Sequence, residues 1–291
     1  MVKHKLILIA GDPSHPPRMH EYRAGMLLLQ QCLAQRDDIE VEVHTGGWVE
    51  DEATLDDADA VVFFSDGRAA HPLADPDRRA RLEPLLEKGL GFGALHYGVE
   101  LSPQPAVRRF DKWLGGTYEF GYSYNPFWEA EFTNLAEHPI TTGVAPFALR
   151  DEWYFNIRFR AEEQPSSDTT FTPILVATPT SEVRSSPGGD SRKPYEHIVA
   201  DAGRAETLMW ALERPDGGRG FGFTGAHFHD NWGNDQFRKV VLNALLWVSK
   251  VEVPEDGVDS VLAEGDLDKN LDDKDGLPVC TGCGNLVPLP V

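Results

Sequence analysis

Four apolar runs in this chain end in the same way, and that shared ending constrains the fold more than any other feature. Lys5-Leu6-Ile7-Leu8-Ile9-Ala10 runs into Gly11-Asp12-Pro13-Ser14-His15, and Ala60-Val61-Val62-Phe63-Phe64 runs into Ser65-Asp66-Gly67. Gly91-Phe92-Gly93-Ala94-Leu95 breaks at His96-Tyr97-Gly98, and Gly220 to Thr224 stops at Gly225-Ala226-His227-Phe228-His229. Short apolar runs bounded by glycine and polar turns read as strands buried on both faces, the habit of a parallel sheet. In such sheets functional groups gather at the carboxyl ends of the strands. His15, Asp66 and His96 are therefore expected on one rim, with imidazole and carboxylate as its chemistry.

The order of elements agrees. Residues 5–10 form a strand. Residues 20–35 form a helix with Met26, Leu27, Leu29, Leu33 and Ala34 as its apolar stripe, and Ile39 to Val43 alternates as a second strand. Asp57 to Phe64 is the third strand, a charged helix covers about 75–88, and Gly91 to His96 is the fourth. This succession predicts an α/β fold with a doubly wound, mostly parallel sheet. Beyond residue 100, aromatic residues crowd between 110 and 160. Strand-like runs follow at Trp128–Phe132, Trp153–Phe159, Ile174–Thr178, His197–Val199 and Leu208–Ala211. They predict an antiparallel extension and long loops over the carboxyl edge, and Asp235 to Val248 reads as an amphipathic helix. The expected domain is 1–253. Between Glu255 and Asp275 nine acids face two lysines, so 254–291 reads as an extended or disordered acidic tail.

Composition narrows the partners. With 291 residues there is ample core, and a net charge of -20 argues against nucleic acid and anionic membranes. A small neutral or cationic ligand, or a metal ion, fits better. No apolar stretch reaches the ~18 residues of a membrane span, and Lys3 to Ala10 reads as a strand rather than a leader, which points to the cytoplasm. Cys32, Cys280 and Cys283 make no disulfide framework. Cys32 reads as a reduced core thiol, and Cys280-Thr281-Gly282-Cys283 as half a zinc knuckle without partners in a flexible tail. The 110–130 region is a candidate interface for a homo-oligomer.

Six of the ten histidines (His15, His20, His71, His96, His227 and His229) fall at or just beyond strand ends. A loop histidine alone is more often solvated than functional. Several converging on one rim point to metal ligation or acid–base work, because imidazole serves both near neutral pH. On an extended segment His227 and His229 point the same way and could reach one ion. Asp66 could bind a metal, take a proton or hold a hydroxyl, or simply cap a turn. Asp151-Glu152-Trp153-Tyr154 sets carboxylates beside aromatic rings, as carbohydrate pockets do. Pro194-Tyr195-Glu196-His197 and Arg204 could roof the pocket. No GxGxxG follows the first strand and no GxxxxGK[ST] is present, so no nucleotide cofactor is expected. HExxH and GxSxG are absent as well.

Taken together, the segments Gly11-Asp12-Pro13-Ser14-His15 with His20-Glu21, Ser65-Asp66-Gly67 with His71-Pro72, Gly91 to Tyr97, Asp151 to Tyr154 and Gly217 to Trp232 carry a family pattern. Over about residues 3–253 the chain resembles the ThuA-like (trehalose-utilisation) family of the class I glutamine amidotransferase-like superfamily. The resemblance implies a flavodoxin-like sheet. It places His96 where amidotransferase relatives carry a nucleophilic cysteine, so glutaminase chemistry is not carried over. It points to disaccharides or their 3-keto derivatives, with a divalent metal such as zinc or manganese. One departure is Ala226, where the family tends to have a second glycine.

Three functional readings follow. The first is an enzyme of elimination, hydration, hydrolysis or isomerisation on a 3-keto-glycoside. It has His96, Asp66 and His20 at the reacting centre, His15, His227 and His229 as metal ligands, and Glu152, Tyr154, His71 and His197 on the substrate. The second is a non-catalytic carbohydrate-binding or regulatory module on the same scaffold. The third, hydrolysis of unmodified glycosides, would want a carboxylate pair flanking the bond.

Overall fold

The computed structural model describes residues 3–101, 107–160 and 168–275. Five strands run parallel in the order β2 (Ile39–His44), β1 (His4–Ala10), β3 (Ala60–Phe64), β4 (Gly91–Leu95) and β11 (Arg219–Phe223). β10 (Glu206–Glu213) and β9 (Thr170–Ala177) extend this seven-stranded sheet in antiparallel sense. The order 2-1-3-4 followed by a fifth parallel strand is the flavodoxin-like winding, whose switch point lies between β1 and β3.

Alternation along the strands explains the layers. Leu6, Leu8, Val62 and Phe64 pack with α1 (Tyr22–Leu33) and with the last helix, Asp235–Val248. Ile7, Ile9, Val61 and Phe63 pack on the other side, with α2 (Pro76–Leu86) and α3 (Val107–Leu114). Both sheet faces are therefore covered, which is why the strands read as unbroken apolar runs. Register then sets the rim. Ala10 pairs with Phe64, Phe64 with Leu95, and Phe223 with Leu95, so these four strands end level. The residues that leave them emerge along one line.

The short elements are β5 (Gly116–Thr117), β6 (Trp128–Phe132), β7 (Phe147–Asp151), β8 (Arg158–Phe159), α4 (Ser181–Ser185) and α5 (Glu196–Ala200), with α6 as the final helix. Three of them depart from expectation. β7, unseen in the pattern, pairs antiparallel with β6. Trp153–Phe159 is not one strand, because Asn156 sits in the left-handed region with φ 55° and leaves only Arg158–Phe159 extended. His197–Val199 lies within a helical turn, since so short an apolar run does not distinguish strand from helix.

Residues 254–275 hold no strand or α-helix, only a short 3₁₀ turn at Asp266–Asp268, but they are not free of the body. Val258, Asp266 and Lys274 are buried. Cys280 and Cys283 lie outside the described residues. Cys32 is a free, half-buried thiol whose pKa burial pushes up. Among the described residues no helix is long and apolar enough to cross a membrane.

Candidate functional site: a histidine–carboxylate cluster at the sheet rim

The level strand ends deliver His15 and His20 from the loop after β1, Asp66 after β3, His96 after β4 and His227 after β11. Glu152 and Tyr154 come from the chain beyond β7. His20, His96, Glu152 and His227 are all buried, and one ligand atom from each lies within 4.8 Å of every other. His20 Nε2 is 3.1 Å from His96 Nε2 and 2.9 Å from His227 Nδ1. Glu152 Oε2 is 2.9 Å from His227 Nδ1 and 3.4 Å from His96 Nε2.

The surrounding hydrogen bonds fix which ring nitrogens carry protons. His96 Nδ1 faces only the Thr224 carbonyl at 2.8 Å, so it donates, and Nε2 is left as a lone pair. The Tyr22 hydroxyl donates to Asp66 Oδ1 at 2.6 Å and can therefore only accept from His20 Nδ1, also at 2.6 Å. His20 Nε2 is then a lone pair too. A parallel relay runs beside it: Ser14 Oγ donates to Asp66 Oδ1 at 2.9 Å and faces His15 Nδ1 at 2.8 Å. One carboxylate oxygen thus sets two imidazoles through two hydroxyls.

The consequence is two lone pairs opposed at 3.1 Å, beside a carboxylate and a third imidazole. A cation among the donors would relieve that opposition; the protein's own donors in reach are the Tyr154 hydroxyl, 3.3 Å from His96 Nε2, and His227 Nδ1, 2.9 Å from His20 Nε2. Zinc–nitrogen bonds of about 2.0–2.1 Å in a tetrahedral site imply ligand–ligand edges of roughly 3.3 Å, and the distances above bracket that value. His227 turns Nδ1 to the cluster, and its other ring nitrogen, Nε2, is buried without a hydrogen-bond partner among the described residues. The residues fit a small divalent cation.

Electrostatics agree with neutral rings at His15 and His20. Burial, and after it the neighbouring histidines, pushes His20 well below its usual range and takes His15 down to about 3. Burial would raise the Glu152 carboxyl, but His227 and then His96 beside it hold it at about 2. Burial raises Asp66, against the hydroxyls of Tyr22 and Ser14. Tyr154, whose pKa burial lifts well above 10, keeps its proton 3.3 Å from His96 Nε2 and 3.4 Å from Glu152 Oε2.

The backbone that carries these groups is held by Asp151. Its buried carboxylate accepts from Ala226 N at 2.7 Å, His227 N at 3.1 Å and Glu152 N at 2.8 Å. His15, His20 and His96 all have positive φ, as does Ala226 at 85°. Left-handed backbone at so many non-glycine residues is held only by surrounding structure and concentrates at functional sites.

A cavity of about 160 Å³ opens over the cluster, walled by His15, Tyr97, Tyr118, Asn125, Tyr154 and the Gly189–Asp190 turn, with Arg68 and Glu100. A larger, more open hollow of about 810 Å³ lies at the opposite end of the sheet, around His138, Arg219 and Trp247. Size favours the latter, but none of the cluster residues lines it, and the chemistry belongs to the smaller cavity. Glu100, its carboxyl raised by burial against the Arg68 pairing at 2.8 Å, is a wall residue that strand-end reasoning did not reach. Nor did it reach Asn125, which donates to Glu152 Oε1 at 3.0 Å. Gly189 is legible only in the structure: a Cβ there would lie 1.7 Å from Glu152 Oε1.

Three expected residues stand elsewhere. His229 begins a 3₁₀ turn, which breaks the extended period that would have aligned it with His227. It is absent from the cluster. His71 caps the turn Pro72–Ala74 by accepting from Leu73 N at 2.9 Å. His197 stacks between Tyr122 and Tyr195 and faces the Tyr122 carbonyl at 2.9 Å. Neither lines the cavity.

The fold and its rim define a flavodoxin-like α/β protein with a histidine–carboxylate site at the carboxyl edge of the sheet. Residues 11–248 match the ThuA family model, described as trehalose utilisation, and the chain belongs to that family. Among solved structures, a protein described as ThuA-like from Bacteroides uniformis ATCC 8492 aligns with a TM-score of 0.58 at 13% identity, covering 84% of this chain and 91% of that one. Another, from Parabacteroides merdae ATCC 43184, aligns with a TM-score of 0.54 at 13% identity over 96% of both chains. At that identity the likeness speaks for the fold. No curated protein matches the chain.

Proposed function

We propose that the cluster is the reacting centre of a sugar-metabolising enzyme that acts on a disaccharide or 3-keto-glycoside, with His20, His96, His227 and Glu152 holding a divalent cation such as zinc or manganese. The observation that carries this reading is the pair of opposed imidazole lone pairs closed by Glu152 and His227. A bound cation supplies Lewis acidity, polarising a carbonyl or acidifying a water.

The chain's own groups do the rest. Tyr154, protonated and buried, donates to an oxygen at the cluster. His15 is too weakly basic, at about 3, to take a second proton near neutral pH, and with Nδ1 engaged by Ser14 its Nε2 accepts from a hydroxyl. Glu100 contributes a carboxylate of raised basicity, suited to receive the proton that a keto group acidifies on the adjacent carbon. A cavity of about 160 Å³ is smaller than the roughly 300–1,000 Å³ of drug-sized sites. It takes one ring of a disaccharide, the remainder resting at the mouth by Arg68 and Asp190. Glu152, engaged with two histidines, is poorly placed to act as half of a glycosidase carboxylate pair.

The test is metal content together with turnover. Purified protein should carry one equivalent of a divalent ion, lost in His96→Ala and His227→Ala and retained in His229→Ala. A 3-keto-disaccharide should be consumed only by the metal-bound form. Saturable sugar binding with no turnover, unaffected by chelation, would instead establish a non-catalytic binding module.

A further inference from the structure

The strongest unexplained group outside the cluster is Lys274, a buried cation contributed by the acid-rich segment well beyond the family-matched residues. Its ammonium lies 3.4 Å from the carbonyl oxygens of both Pro16 and His20, donates to that of Met19, and sits 3.2 Å from Glu21 Oε1. An ammonium has three donors and no acceptor, and here a single loop presents it with carbonyls and a carboxylate. The same segment adds further ties. Asp272 N donates to Glu21 Oε2 at 2.9 Å, and Asp268 pairs with Arg18 at 2.8 Å. Glu21 Oε1 also accepts from Arg18 N at 2.6 Å.

The loop so gripped carries His15 and His20, and it is strained: His15, Arg18 and His20 have φ of 64°, 65° and 49°. Such conformations cost on the order of 1–3 kcal/mol each and persist only when neighbours impose them. Within the parent fold the loop is tied by His20 N to the His227 carbonyl at 2.9 Å and by His229 N to the Arg18 carbonyl at 2.9 Å. The carbonyl of Met19 turns instead toward Lys274, and that of Pro16 accepts from both Met19 N at 3.1 Å and Lys274 at 3.4 Å.

We propose that residues 266–275 form a strap that completes the rim site, with Lys274 a positioning residue that holds the loop so that His20 presents Nε2 to His96 and His227. This rests on the reading of His20 as part of the cation site. It assigns a role to a stretch whose composition alone argues for a solvated tail.

The experiment uses the full chain with Lys274→Met, which keeps most of the apolar stem, and Lys274→Arg. Long-range ¹H–¹⁵N spectra report the ring nitrogens of His20 and His96 separately, and cobalt(II) titration reports the site. In Lys274→Met the His20 ring signals should move and cobalt affinity should fall roughly tenfold or more, as for other groups that orient ligands. The His96 Nδ1 signal, tied to Thr224, should stay as it was, and Lys274→Arg should recover part of the loss. A folded Lys274→Met with an unchanged His20 signal would overturn the proposal. So would equal disturbance of His20 and His96 Nδ1, which marks general destabilisation. Should Lys274→Met not fold, Glu21→Gln tests the same grip through its partner, with the same two outcomes. If the unaltered protein binds no cobalt, the cation reading fails while the His20 signal still decides the strap.

Discussion

Tyr22→Phe isolates the relay that sets His20. The hydroxyl belongs to a fully buried residue and makes two short bonds, each 2.6 Å, one to Asp66 Oδ1 and one to His20 Nδ1. Removing it deletes a hydrogen bond to a charged acceptor, worth about 1.5–3 kcal/mol, and strands a buried ring nitrogen at about 1–3 kcal/mol. His20 escapes part of that cost by moving its proton to Nε2, where His96 Nε2 waits 3.1 Å away. The net loss of stability should therefore be about 2–4 kcal/mol, visible in urea melts. The escape consumes the lone pair the site needs, so cobalt(II) affinity should drop about 10- to 100-fold, the usual effect of losing a group that orients a ligand. Ser14→Ala should disturb His15 and leave the His20 tautomer intact. Retention of the Nδ1–H tautomer on His20 in Tyr22→Phe, together with unchanged cobalt affinity, would refute the relay.

Other outcomes are equally specific. Gly189→Ala places a methyl 1.7 Å from the present position of Glu152 Oε1, so the carboxylate must swing away. Cation affinity should fall at least about tenfold, as when a ligand loses its support, while the melting temperature changes little; wild-type titration curves would contradict this. Ala226→Gly relieves a residue at φ 85°. Strain relief of about 1–2 kcal/mol against a glycine entropy cost of about 0.5–1 predicts slight stabilisation and a melting point a few degrees higher. Burial holds His71 and His15 at about 3 in the folded protein, whereas the unfolded value is 6.5. Their contribution is complete above 6.5 and is lost as pH falls toward 3, by about 1.4 kcal/mol per unit and group. By pH 5 the two together remove about 4 kcal/mol, so a melting temperature constant from pH 7 to 5 would count against neutral rings.

Strand ends carried most of what was legible. His15, Asp66, His96 and His227 were locatable because apolar runs mark buried parallel strands and level register brings their ends together. Glu152 and Tyr154 were suggested by aromatic neighbours, although the strand that delivers them, β7, was not foreseen. The pairing of His227 with His229 failed for a local reason: the two-residue period holds only while the backbone stays extended, and it turns at His229. His71 and His197 sit in loops like the others, but backbone caps and ring stacking occupy them. Glu100, Asn125 and Gly189 reach the cavity through tertiary packing of loops, which no periodicity encodes. Lys274 was hidden by its company, since a lysine among acids reads as solvated until a buried carboxylate and a set of carbonyls are found around it.

The carboxylate of Asp151 has a mechanical consequence. Because it clasps the amides of Glu152, Ala226 and His227 at once, those segments form one rigid jaw, although 75 residues of chain separate Asp151 from Ala226. The opposite jaw, residues 14–21, meets it through the two backbone bonds at His20 and Arg18 and is otherwise gripped by side chains and the strap. Any closure on a ligand is then one-sided: structures with different occupants should superpose on Glu152 and His227, with displacement concentrated at His15 and His20. Natural or engineered changes of substrate size should accumulate along 14–21 and 266–275, while the stretch from Asp151 to Tyr154 tolerates none.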